Sequence, residues 1–243
     1  MVADEIRMLA LDLSSAQSVV IVSGAGISAE SGIPLASELI ESCPNFSTYE
    51  GFKSDPAAAW RFYDDVRCQI AKAQPSAAHV ALVRLQELLG SFLLATHNVD
   101  RLHQTAGSKN VLELSGNIWE LRCENEGRVS ENYSTPLAPL PPRCSCGAIL
   151  RPNVVFSGED LVAGAYGFLR NIIAKCQGIV LFVGISGRNT TVYSLIENLK
   201  IRGWKIVEVN PKLTLVSQSA DVLIRRNACD VFPPLVQLLP SLG

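Results

Sequence analysis

Two groups of residues have types and spacings that could do chemistry. Ser23-Gly24-Ala25-Gly26-Ile27-Ser28-Ala29 satisfies the pattern G-x-G-x-x-A and directly follows an apolar run. Gly24 permits a tight turn, and Gly26 lets a pyrophosphate approach the backbone. Ala29 lets a following helix sit close to a sheet with its N-terminus toward the phosphates. The alternative is an ordinary strand–turn–helix glycine pair; the acidic ribose partner expected about 20 residues on is not evident, so this is not a plain dehydrogenase half. The second group is Cys123, Cys144 and Cys146, the only ones among the 7 cysteines spaced closely enough to suggest a shared job.

These groups need elements to hold them. Ser18–Ser23, Phe92–Thr96, Val111–Leu114, Ile179–Val183, Lys205–Val209 and Asp221–Ile224 read as short buried strands from their apolar, often β-branched residues. Helical stretches lie between them, notably Pro75–Leu89 and Tyr193–Arg202, and the residues before Val19 read as an amphipathic helix. That alternation predicts an α/β fold with a parallel sheet covered on both faces by helices. Gly184-Ile185-Ser186 and Asn210 then fall at carboxyl ends of strands, where open α/β sheets bind ligands. Either one alone would be read as a local turn. Leu35–Ala73 and Glu120–Leu150 break the alternation and predict a smaller domain over the sheet.

Composition narrows the classes. The chain is 48% hydrophobic and 18% charged, with 21 basic and 23 acidic residues. A disordered chain carries more charge, and a nucleic-acid protein shows a basic excess or run that is absent here. No apolar run approaches the roughly 18 residues that would span a membrane. The start, Met1-Val-Ala-Asp-Glu-Ile-Arg7, lacks a signal peptide's apolar segment. Reduced thiols in a cytoplasmic or nuclear protein are therefore expected.

Several blocks, taken in order, resemble the sirtuins (Sir2 family). They are Gly24–Pro34, Thr96-His-Asn-Val-Asp-Arg-Leu-His-Gln-Thr-Ala-Gly107, Glu113-Leu-Ser-Gly116, Leu150–Val155 with Gly158-Glu159, Gly184–Ser186 and Glu208-Val-Asn210. Asp55-Pro56, Trp60-x-Phe62-Tyr63 and Ser130-Glu-Asn-Tyr133 look most like the class III, desuccinylase-type branch. The resemblance implies a Rossmann-like large domain (1–34, 76–119 and 151–243). It also implies a small domain (35–75 and 120–150) of a helical module and a zinc-ribbon-like module. It further implies NAD in the cleft between them and an acyl-lysine peptide or other ADP-ribose acceptor as second substrate. Carried over, Gly24, Ala25, Gly26 and Ser28 hold the pyrophosphate, while Gly184, Ser186, Asn210 and Cys229 line the adenosine. Asn98 and Asp100 sit beside the nicotinamide ribose and carboxamide, and Tyr63, Val155, Ser157 and Gly158 meet the acyl substrate.

The departures from the family cluster. Its general base is a histidine where this chain has Ser115, and a serine hydroxyl cannot take a ribose proton as an imidazole of pKa about 6.5 can. The glutamine before Asn-x-Asp is His97, which invites the reading of a relocated base; the alternative is a packed histidine filling a glutamine's space. His79 and His103 match family histidines and read as structural. Leu35-Ala36-Ser37 replaces the family's Phe-Arg segment, and Ser157 replaces an acyl-channel phenylalanine. Val66 stands at the arginine position of the acidic-acyl pair, with Arg67 one residue late. Gly184-Ile-Ser186-Gly-Arg-Asn189 lengthens the family's Gly-Thr-Ser loop. In the zinc module Glu126 replaces one of four cysteines, so a zinc site would have Cys123, Cys144 and Cys146 with Glu126 as fourth ligand, or else be vestigial.

The adenosine and pyrophosphate contacts thus survive while the nicotinamide and acyl contacts are rebuilt. The expected function is an NAD-binding, sirtuin-type enzyme that cleaves the nicotinamide bond with altered chemistry: NAD hydrolysis, ADP-ribosyl transfer or non-standard deacylation. The alternatives are an ordinary lysine deacylase inactivated at Ser115, and a non-catalytic NAD or ADP-ribose binding module.

Overall fold

Val19–Ser23 (β1) is apolar at four of its five positions and buried throughout, so it can only lie inside a sheet covered on both faces. In the computed structural model, which describes residues 2–35, 38, 41–186 and 190–239, β1 is flanked by two other strands. Phe92–Thr96 (β2) pairs with it on one side and Ile179–Val183 (β7) on the other, both parallel. Leu112–Glu113 (β3), Lys205–Val209 (β8) and Val222–Ile224 (β9) complete a parallel sheet of order β3-β2-β1-β7-β8-β9. All six runs expected as strands are in it. The chain moves outward from β1 to β3 and then returns to β1's other side at β7. The carboxyl ends of β1 and β7 are therefore the switch point where this fold opens a crevice.

Strand alternation divides the two cores. Val19 and Ile21 of β1 face one side, where they meet Val2–Ser15 (α1), Ala77–Leu88 (α4) and Ala228–Leu238 (α8) through Leu9, Leu13, Leu82, Leu85 and Phe232. Val20 and Val22 face the other, where Leu169 and Ile173 of Ala163–Lys175 (α6) and Leu195 and Leu199 of Thr190–Ile201 (α7) pack with Trp204. Among the described residues no helix is long and apolar enough to cross a membrane.

A third cluster belongs to the smaller unit. Helices Tyr49–Ser54 (α2) and Pro56–Ile70 (α3) pack Phe52, Trp60, Tyr63 and Val66 on Ile118, Trp119 and Leu121 of Gly116–Arg122 (β4). The cap residues Thr48 and Asp55 start these helices by accepting from the amides of Gly51 and Ala58. β4 is the middle strand of an antiparallel sheet between Val129–Glu131 (β5) and Arg151–Val154 (β6). This sheet overruns the expected limits 120–150 at both ends. Gly116 at its start has φ +80° and a Cβ there would lie 2.0 Å from the Asn153 carbonyl oxygen, so only glycine fits.

Arg67 explains itself in this unit. Its guanidinium is fully buried and lies 4.9 Å from the Trp119 ring. It donates to the Ile118 carbonyl at 2.7 Å, and to the Asn132 carbonyl and Oδ1 at 2.8 and 2.9 Å. It ties α3 to β4 and to the segment after β5, and faces the interior rather than a ligand. Arg67→Ala strands these acceptors and is expected to lower stability by about 3–5 kcal/mol. A urea midpoint equal to wild type would contradict this.

Candidate functional site

The glycine turn lies at the switch point. Gly24 N donates to the Val183 carbonyl and Gly26 N to the Gly184 carbonyl, each at 2.9 Å. A Cβ on Gly26 would stand 2.6 Å from the Gly184 Cα. Close approach of the β1 and β7 turns therefore requires this glycine, quite apart from any ligand. No α-helix starts directly after the glycine pair: two single 3-10 turns, Ala25–Ile27 and Ala29–Ser31, stand there instead. Ala29 is exposed, and Ile27 is the residue packed on the sheet. With Ser at 28 and 31 and Gly32 in the left-handed region, the chain turns away before a helix can propagate.

Below this turn a polar triangle joins β1 to the end of β2. Asn98 Nδ2 donates to the Gly24 carbonyl and to Ser28 Oγ, each at 3.1 Å. Ser28 Oγ donates to Asp100 Oδ2 at 2.7 Å, and the Leu102 amide donates to Asp100 Oδ1 at 2.8 Å. Burial raises the Asp100 carboxyl above its ordinary range, opposed by those donors, which favour the carboxylate. Sequence reasoning named all three residues. It missed what seats them: Thr96 Oγ1 accepts from the Asn98 amide at 3.0 Å and from Ser23 Oγ at 2.8 Å. It also missed the Trp119 indole, which donates to the Asp100 carbonyl at 3.1 Å. Nothing in the spacing of these residues signals those bonds.

The structure brings His97 and Ser115 together. β2 and β3 pair with Thr96 opposite Glu113, so the residues following each strand emerge side by side. Both side chains are half-buried, and His97 Nδ1 lies 3.2 Å from Ser115 Oγ. Burial pushes the His97 imidazole down to about 4, so it is neutral and has a lone pair to offer at physiological pH. The other two histidines are buried apart from the cleft mouth. His79 Nδ1 accepts from the Ser76 amide at 3.2 Å, and His103 Nε2 lies 2.8 Å from Ser23 Oγ.

Facing this pair, Val155 N donates to the Ser115 carbonyl at 2.8 Å, so β6 leads its loop past the same spot. Ser157 and Gly158 are exposed there and Val155 is half-buried. The loop is clamped by the Arg151–Glu159 pair, bidentate at 2.7 and 2.8 Å. Tyr63 is buried instead, with its hydroxyl donating to the Phe46 carbonyl at 2.9 Å. On the other side of the switch point, Asn210 Nδ2 donates to the Ile185 carbonyl at 2.9 Å, bracing the Gly184–Ser186 turn. Ser186 is exposed, and Cys229 is half-buried at the start of α8, its thiol raised by burial. Ala36-Ser37 and Gly187-Arg188-Asn189 lie outside the described residues.

The cysteine trio meets at the far end of β4. Ligand atoms of Cys123, Glu126, Cys144 and Cys146 all lie within 4.8 Å of one another. Three soft thiols and a carboxylate converging on one point fit a structural zinc, whose chemistry here would be to cross-link the turn after β4 to the turn before β6.

Comparison with known proteins gives the same picture. The Sir2 family model matches residues 24–191. An NAD-dependent protein deacylase of Aquifex aeolicus is 40% identical over 217 residues, spanning 87% of this chain and 90% of that protein. A crystal structure of a Sir2 homologue–NAD complex superposes with a TM-score of 0.90 at 32% identity, covering 97% of this chain and 94% of the other. A Sir2 bound to acetylated peptide superposes with a TM-score of 0.83 at 27% identity, covering 98% and 99% of the two chains. With more than half of its length matched by the family model, and relatives of this identity along most of the rest, the chain belongs to the Sir2 family.

Proposed function

We propose that this protein binds NAD in the crevice at the switch point and breaks its nicotinamide–ribose bond, with His97 serving as the base that position 115 no longer provides. The observation that carries the reading is the 3.2 Å approach of the neutral His97 imidazole to Ser115 Oγ. In this reading an imidazole still stands beside the place where the family keeps one, reached from the neighbouring strand.

Gly24, Ala25, Gly26 and Ser28 hold the pyrophosphate, and Gly184, Ser186, Asn210 and Cys229 line the adenosine. Asn98 is held by Gly24 and Ser28 and Asp100 by Ser28 and Leu102, so both present fixed groups to the nicotinamide ribose and carboxamide. Nicotinamide departs as a neutral base from its pyridinium form. His97 Nδ1 takes the proton of the hydroxyl that becomes nucleophilic, whether a ribose hydroxyl or water, and Ser115 orients that hydroxyl. The relatives' deacylase activity and acetyl-peptide complex support an acyl-lysine as acceptor, laid along Val155, Ser157 and Gly158.

The test is to incubate the purified protein with NAD, with and without acyl-lysine peptides, and follow free nicotinamide. Release that needs peptide identifies deacylation; release without it identifies hydrolysis or transfer to another acceptor. NAD binding by calorimetry with no nicotinamide in any arm would overturn the enzymatic reading in favour of a binding module.

A further inference from the structure

The distances in the cysteine cluster point to Glu126 as its fourth member. A tetrahedral zinc with Zn–S about 2.3 Å and Zn–O about 2.0 Å sets its sulfur–sulfur edges at about 3.8 Å and its sulfur–oxygen edges at about 3.5 Å. Cys123 Sγ and Cys146 Sγ are 3.6 Å apart, and Cys144 Sγ and Glu126 Oε2 are 3.4 Å apart. These two edges share no atom. Each has nearly the length of an edge of a tetrahedron around one ion, and all four donor atoms lie within 4.8 Å of one another.

Local backbone bonds hold the four donors there. Cys123 N donates to the Arg128 carbonyl at 2.8 Å, closing the turn that returns Glu126 toward Cys123. Cys144 N donates to the Ala148 carbonyl at 2.8 Å and Gly147 N to the Cys144 carbonyl at 2.9 Å, closing the second turn. Three thiolates and a carboxylate carry four negative charges against the ion's two. Arg128 stands against that surplus, its Nη2 3.2 Å from Cys144 Sγ and 3.5 Å from Glu126 Oε2.

We propose that Glu126 is the fourth ligand of a three-thiolate, one-carboxylate zinc site, with Arg128 as its charge partner. A carboxylate is a harder donor than a thiolate, so this site holds zinc less tightly than four cysteines would. The proposal is independent of the NAD reading, because it concerns only the far end of β4.

The whole chain, stripped of metal by a chelator, is titrated with cobalt(II) and back-titrated with zinc, for wild type, Glu126→Gln and Glu126→Cys. Wild type is expected to bind one cobalt with tetrahedral visible bands. Glu126→Cys keeps those bands, gains about a third in thiolate charge-transfer intensity as three sulfurs become four, and binds at least about tenfold tighter. Glu126→Gln weakens binding at least about tenfold. If Glu126→Gln matches wild type in affinity and spectrum, Glu126 is not a ligand. If cobalt enters Glu126→Cys but not wild type, or enters neither, the proposed site does not exist. Should Glu126→Gln fail to fold, the comparison of wild type with Glu126→Cys decides.

Discussion

Replacing His97 by alanine is expected to lower nicotinamide release by about 10²–10⁴-fold, the span over which a positioned general base acts. NAD affinity, measured by calorimetry, should change little. The backbone that would hold the pyrophosphate and adenosine is fixed by bonds His97 does not make, from Gly26 to Gly184 and from Asn210 to Ile185. The imidazole's own properties predict the pH profile. Burial holds it down to about 4, so its basic form is fully present at neutrality and the acid limb of the rate lies well below the usual histidine range. A His97→Ala variant that releases nicotinamide at the wild-type rate would contradict the assignment.

Acid is expected to destabilise the fold before most carboxylates titrate. His79 and His103 are fully buried, and burial depresses their imidazoles to about 4 and about 3. In the unfolded chain both titrate at about 6.5. The unfolded state therefore binds more protons throughout that window. The stability these groups contribute is complete above about pH 6.5 and is lost as pH falls through it, on the order of several kcal/mol for the pair. The interior offers no outlet: His79 Nε2 and His103 Nδ1 have no hydrogen-bond partner among the described residues, and the ring centroids are 4.7 Å apart, so two protons would place like charges side by side. The urea midpoint should fall markedly between about pH 7 and about pH 5, and a His79→Gln/His103→Gln variant should show a shallower dependence. A wild-type midpoint unchanged over that interval would exclude this account.

How far the sequence could be read follows from the range of the forces involved. The six strands were legible because burial on both faces demands apolar, β-branched runs, and Val19–Ser23 or Ile179–Val183 can be little else. The limits of the smaller unit were not. Arg151-Pro-Asn-Val154 is polar and becomes a strand only by pairing with β4, and Gly116 is needed there because Asn153 lies close. Arg67 gave no sign of its role, since its acceptors at positions 118, 132 and 134 are distant in sequence. At the site, motif positions identified Asn98, Asp100 and Ser28, but their bonds to one another depend on the β1–β2 register. The His97–Ser115 contact likewise depends on the β2–β3 register, which no local pattern reveals.

The central claim is that the working imidazole sits at position 97. It is tested most directly by nicotinamide release from His97→Gln and from the double variant His97→Gln/Ser115→His, compared with wild type. The account predicts that His97→Gln loses about 10²-fold or more, and that adding Ser115→His returns most of that rate by placing an imidazole on the neighbouring strand. His97→Gln working at the wild-type rate would contradict it.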